Sequence, residues 1–172
     1  MNEVLRALKT RRAVRAYEAR QVETELLDQV LEAGTYAPTA NGRQSPVIVA
    51  VQDPDTRRQL SRMNAAVSGD SDDPFYGAPT VLVVLAEKSH GTYLLDGASV
   101  ITTLLNAAHA VGLASCWVHR AKEEFESEEG KALLSKWGVR GNYEGVGHVV
   151  LGYPATEPGE PAPRKSDYII KV

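Results

Sequence analysis

Apolar positions recur along this chain in two rhythms, and the changes of rhythm mark out its elements. Val4, Leu5 and Leu8 share one face of a first helix, with Asn2 placed to cap it. Leu26, Leu27, Val30 and Leu31 form the stripe of a second helix over 23–33, for which Gly34 is the expected stop. Residues 36–46 are too rich in Pro, Asn and Gly to continue as helix. Continuous apolar runs at 47–51 and 80–86 predict buried strands. Between them Pro54 opens a helix expected to reach Asn64, and a loop then runs to Gly77.

The stretch 94–111 stands apart from the other helices. Leu94, Leu95, Ala98, Val100, Ile101, Leu104, Leu105, Ala107, Ala108 and Ala110 leave almost no polar face. A helix apolar nearly all round must be covered on most sides. In a chain of 172 residues this predicts a central helix, part of whose surface meets another subunit. Gly112 ends it, and a strand at 114–118, a helix over 127–137 and a fourth strand at 146–151 follow. Beyond Gly152, Pro154, Pro158, Pro161 and Pro163 force an extended path, yet Tyr168, Ile169 and Ile170 form an apolar end. Such an arm is expected to dock along a partner. With no internal repeat, the chain reads as a single domain over 1–172, of which 153–172 is the arm.

Composition narrows the class. Hydrophobic residues make up 43% and charged residues 24%, as in an ordinary globular domain able to bury a core. A net charge of −3 argues against a nucleic-acid partner, and 6% aromatic content against a base-stacking surface. No stretch is apolar enough to span a bilayer, and the opening MNEVLRALKTRR lacks a signal core, so a cytoplasmic protein without a membrane partner is expected. The single cysteine, Cys116, excludes an intramolecular disulfide, and the histidines show no metal-ligand spacing. Asp70–Asp73 resembles only a fragment of a calcium loop and reads as solvated. Trp117 and Trp137 are expected in the core.

Two segments offer chemistry. Arg11, Arg12 and Arg15 crowd guanidinium groups near the end of the first helix. They can meet the negative end of the helix dipole, or they can hold a phosphate by paired hydrogen bonds. Arg164 and Lys165 supply a second basic pair at the far end of the chain. The run Ala37-Pro38-Thr39-Ala40-Asn41-Gly42-Arg43-Gln44 has short side chains and several amides, which suits close approach to a flat polar ligand or a plain connection.

In this order the motifs resemble the nitroreductase family of flavin enzymes. Arg11-Arg12-Ala13-Val14-Arg15-Ala16-Tyr17 is similar to that family's Arg-Arg-Ser-x-Arg-x-Phe opening, with Ala13 in place of the Ser. Ala37-Pro38-Thr39-Ala40 through Gln44 is similar to its Ala-Pro-Ser loop, and residues 108–117 to its central helix, Gly-Leu stop and next strand. The resemblance implies an α+β fold, an antiparallel-dominated sheet surrounded by helices, in an intertwined homodimer with shared sites. It implies FMN as cofactor, with Arg11 on the phosphate and Arg12 and the Ala13 backbone nearby. Arg15 would reach the N1/O2 edge of the ring, and His119 and Arg120 would offer backbone donors to N5 and O4. Pro38, Thr39, Ala40, Asn41 and Gln44 would come from the other subunit, and Arg164 and Lys165 would close on the phosphate. The implied activity is hydride transfer from NAD(P)H to a small conjugated acceptor, a nitroaromatic or quinone, by a ping-pong scheme without a catalytic side chain. The alternative is a non-catalytic module that stores FMN or another phosphate-bearing ligand. Asn64 is a further candidate for the ring's pyrimidine edge.

Overall fold

The computed structural model describes residues 2–69 and 72–172. Its centre is a four-stranded antiparallel sheet of order β1-β2-β4-β3, made by β1 (Pro46–Val51), β2 (Thr80–Glu87), β3 (Ala114–Val118) and β4 (Tyr143–Gly152). β2, the apolar run, is buried from Thr80 to Ala86 and pairs on both edges. Such a run belongs in the middle of a sheet covered on both faces.

Helices cover both faces. On one lie α2 (Thr24–Thr35) and α4 (Tyr93–Ala110), where Leu27, Val30, Ile101 and Leu104 meet Leu82, Val84, Val149 and Leu151. On the other lie α3 (Pro54–Ser68), α5 (Ala121–Glu126) and α6 (Glu128–Lys136), packed with Phe75 on Val81, Val83, Cys116 and Val150. α1 (Glu3–Thr10) is capped by Asn2, whose side chain accepts from Val4 N at 2.9 Å. None of its residues is buried, and Val4, Leu5 and Leu8 are 65%, 54% and 52% exposed. After Gly152 no helix or strand forms among the described residues, and Tyr168, Ile169 and Ile170 stand open to solvent.

Several expectations are corrected. Gly34 does not stop α2, which runs one residue further. Instead its missing side chain lets α4 approach, since a Cβ there would sit 2.6 Å from Leu104 Cδ2. α3 continues past Asn64 to Ser68 and is closed by Gly69 in a left-handed conformation. α5 was not expected at all, and β4 starts at Tyr143 rather than 146. Trp117 is 40% exposed, while Trp137 does pack on Phe125. Asp73 is a hub for its own turn, accepting from Arg57, Ser61 and the Phe75 and Gly77 amides; Asp70 and Ser71 lie outside the described residues.

β4 carries a one-residue bulge. Val84 pairs with Gly147 and Leu85 with Gly145, leaving Val146 without a partner. On one side of the bulge Gly147, Val149 and Leu151 face α2 and α4; on the other Gly145 abuts Ala121 and Tyr143 packs with the α5–α6 core. The bulge thus switches which face the odd-numbered residues serve.

Candidate functional site

The chain leaving α1 runs beside β3. Val14 N donates to Ser115 O at 3.1 Å, and a parallel bridge joins Ala13 to Ser115. Alternation then buries Val14 and leaves Ala13 and Arg15 at the surface, while Tyr17 is half-buried. The Tyr17 hydroxyl donates to Val14 O at 2.6 Å, and burial pushes its pKa up.

The three arginines separate in role. Arg12 Nη1 donates to Lys9 O and Arg11 O, both at 2.8 Å, so its guanidinium closes the end of α1. Its Nε is buried with no partner. Arg11 and Arg15 have no carboxylate partner among the described residues. Arg11 lines a cleft of about 210 Å³ with Arg12, His109, Gly112, Ser115 and Glu157. Arg15 lies over the ring of Tyr76, 5.9 Å from its centroid. Both cations face Cys116, whose thiol is nevertheless pushed up by burial, with Arg15 and Arg11 pulling the other way.

His109 of α4 forms a wall of this cleft. Its Nε2 sits 2.8 Å from Thr10 Oγ1, and its pKa is lowered by burial and by the nearby Arg11 and Arg12. Tyr76 holds φ +54 and remains exposed, an unusual conformation for a bulky residue.

His119 and Arg120 follow β3 at the surface. Arg120 takes φ +79 and caps α5 without a side-chain bond. Asn64, a candidate for ligand contact, is buried and committed elsewhere: its Nδ2 donates to His119 O at 2.7 Å and to Glu124 Oε1.

The remaining predicted residues lie apart from this cluster within the chain. The 38–44 loop forms a single tight turn at Ala40–Gly42, with Asn41 at φ +55 and Gln44 at φ +51. Asp96 of α4 pins it, accepting from Ala40 N at 3.0 Å and Ser45 Oγ at 3.2 Å, with His90 Nε2 3.0 Å away. Burial raises the Asp96 carboxyl, yet these donors prevail and hold it below the usual range. Thr39 and Gln44 line a cavity of about 350 Å³ with Leu31, Gly34 and Ile48. Arg164 and Lys165 are exposed on the arm, where Lys165 lies 5.6 Å from the Tyr168 ring centroid. Among the described residues no hydrogen bond joins the 38–44 loop or this basic pair to Arg11 or Arg15.

The sequence profile of the nitroreductase family matches residues 8–74. A crystal structure of a nitroreductase with bound FMN from Bacteroides fragilis is 31% identical, covers 100% of both chains and superposes with a TM-score of 0.90. A nitroreductase with bound FMN from Desulfitobacterium hafniense has the same fold, at 24% identity and TM-score 0.89 over 100% of this chain and 99% of its own. A relative from Archaeoglobus fulgidus, provisionally named an NADH dehydrogenase/NAD(P)H nitroreductase, is 29% identical over 160 residues, 91% of this chain and 88% of its own.

Proposed function

The chain belongs to the nitroreductase family, and from this we propose that it takes hydride from NAD(P)H and reduces a small conjugated acceptor, a nitroaromatic or a quinone. It is an FMN-dependent NAD(P)H oxidoreductase of the nitroreductase type. The observation that carries the reading is the pair Arg11 and Arg15, two cations without carboxylate partners among the described residues, both close enough to Cys116 of β3 to act on its thiol. When bound, FMN supplies a two-electron carrier able to accept hydride from a nicotinamide and pass it on.

The residues present suit such a group. Arg11 would hold the phosphate in the cleft, with Arg12 and the Ala13 backbone nearby. Gly112 lines the same cleft with no side chain to intrude. Arg15 would place positive charge at the N1/O2 edge, favouring negative charge there. His119 and Arg120 would present backbone N–H groups to N5 and O4. Pro38, Thr39, Ala40, Asn41 and Gln44 would cover the ring from a second copy, and Arg164 and Lys165 would close on the phosphate.

That division of the site among separated segments supports a homodimer, as do the open apolar residues of α1 and the arm over 153–172. Light scattering after gel filtration should give twice the 18.6 kDa chain mass, and a flavin-retaining monomer would refute the shared site.

Purified protein should turn yellow with FMN and oxidise NADH or NADPH steadily when given a nitroarene or a quinone. A preparation that is colourless once added FMN has been removed by desalting overturns the assignment. A fully loaded protein that fails to turn over points to the storage module instead. Arg11→Ala should weaken FMN binding by about 1.5–3 kcal/mol, the worth of a charge-assisted hydrogen bond. Unchanged retention would remove Arg11 from the phosphate.

A further inference from the structure

Behind the His119–Arg120 turn lies a buried polar cluster to which the reading above gives no task. Asn64 of α3, Glu124 of α5 and His148 of β4 are all sealed from solvent. Asn64 Nδ2 donates to His119 O at 2.7 Å and to Glu124 Oε1, and His148 Nε2 stands 2.9 Å from that same carboxylate oxygen. The rings of Phe75 and Phe125 close around the imidazole at 5.2 and 6.3 Å. Glu124 Oε2 and His148 Nδ1 have no partner. Burying polar groups half-satisfied is unfavourable, and an apolar trio of similar volume would pack at least as well. Stability alone therefore does not account for the cluster.

Its geometry does. The His119 carbonyl and the Arg120 N–H are opposite ends of one planar trans peptide, so fixing the first fixes the second. Asn64 draws the carbonyl inward, which turns the Arg120 N–H outward, and no acceptor among the described residues takes it up. Arg120 meanwhile keeps a left-handed backbone that an L side chain holds only when its surroundings impose it. His148 faces Val118 across the β3–β4 ladder, one residue before the turn, so the cluster is anchored in the sheet itself.

We infer that Asn64, backed by Glu124 and His148, is a positioning residue that aims the Arg120 N–H at the N5–O4 edge of the flavin and so sets the cofactor's preference for its reduced form. The inference rests on the proposed placement of that N–H. The test is Asn64→Leu in the full chain, with two readouts: the Kd of oxidised FMN, and the midpoint potential from a dye-linked reductive titration. The Kd should stay within about threefold, because the phosphate end is untouched, while the preference for reduced over oxidised FMN falls about tenfold, ~30 mV for a two-electron couple. Glu124→Gln keeps the volume and the contact with Asn64, and should move the potential the same way by less; it carries the test if Asn64→Leu does not fold. A folded variant with unchanged potential, even with a lower Tm, reduces the cluster to a structural role and overturns the inference. A parent protein that binds no FMN removes the assignment and the inference together. A parent that binds FMN through Arg11, with variants that leave the potential alone, removes only the inference.

Discussion

The two faces of the sheet are built differently. Toward α2 and α4 the packed cluster is apolar, with Leu82, Val84, Val149 and Leu151 set against Leu27, Val30, Ile101 and Leu104, and the buried Asp96 of α4 is turned to the 38–44 loop. Toward α3, α5 and α6 the same strands offer Val81, Val83 and Val150, but Asn64, Glu124 and His148 are buried among them. The Arg57–Asp73 pair joins α3 to the turn that leads into β2. Where the sheet has only to hold together, packing suffices. Where it is proposed to aim a backbone group at a ligand, directed hydrogen bonds interrupt the packing, at a cost in stability.

Substitutions should pull this division apart, beginning with the core of the apolar face. Leu104→Ala removes a fully buried side chain from that face and should lower unfolding free energy by about 2–5 kcal/mol in urea titrations. The folded fraction should bind FMN as before, and a weakened site in folded protein would break the division. The glycines provide a smaller and sharper contrast. A Cβ at Gly145 would lie 2.2 Å from the Ala121 carbonyl oxygen, which is backbone, so α5 itself must shift. Gly145→Ala should therefore cost about 1–3 kcal/mol and loosen FMN as well. At Gly34 the clash is with the tip of Leu104, which can rotate, and about 1 kcal/mol of helix propensity works in its favour. Gly34→Ala should be close to neutral, and equal losses at the two glycines would show that both faces yield alike.

The smallest effect is in acid, where each face contributes a carboxylate. Burial raises both Asp73 and Asp96, but their donors outweigh it: Arg57, Ser61 and two amides for Asp73, the Ala40 amide, His90 and Ser45 for Asp96. Both therefore titrate below the unfolded aspartate value of about 3.9. The stability they add is complete above that pH and disappears as pH falls through their lower folded values. Thermal melts should weaken below about pH 4, and Asp73→Asn or Asp96→Asn should flatten that limb. Glu144, lowered by Lys88 and Lys122 against its burial, adds to the same limb, so neither change should abolish it. A melt curve unaltered by either substitution would show that these carboxylates are uncoupled from folding.

Long periodic stretches made much of the architecture legible. β2, β3 and α4 lie within a residue or so of where their apolar patterns place them, because each is long or continuous enough to outvote local exceptions. α5 was hidden because six residues give less than two turns, and its N-cap, Arg120, carries no capping side chain. Gly34 misled because a glycine that ends a helix and one that admits a neighbour look the same in sequence. Of the site, the arginine pattern was visible, but not that Arg12 folds back on α1 while Arg11 and Arg15 stay free of carboxylates. The Asn64–Glu124–His148 cluster could not be read at all, since its members lie on three elements far apart in the chain.

The bulge at Val146 has a consequence for the chain's spacing rather than its composition. Were Val146 drawn into the ladder as an ordinary strand residue, strict alternation would turn Tyr143 and Gly145 toward α4, and α5 would lose the flat spot on which it rests. The distance in residues between β4's two halves is then a property of the protein in its own right. Changes of letter along this strand can be absorbed by repacking, whereas loss of the bulge would take Gly145 from beneath Ala121 and displace α5.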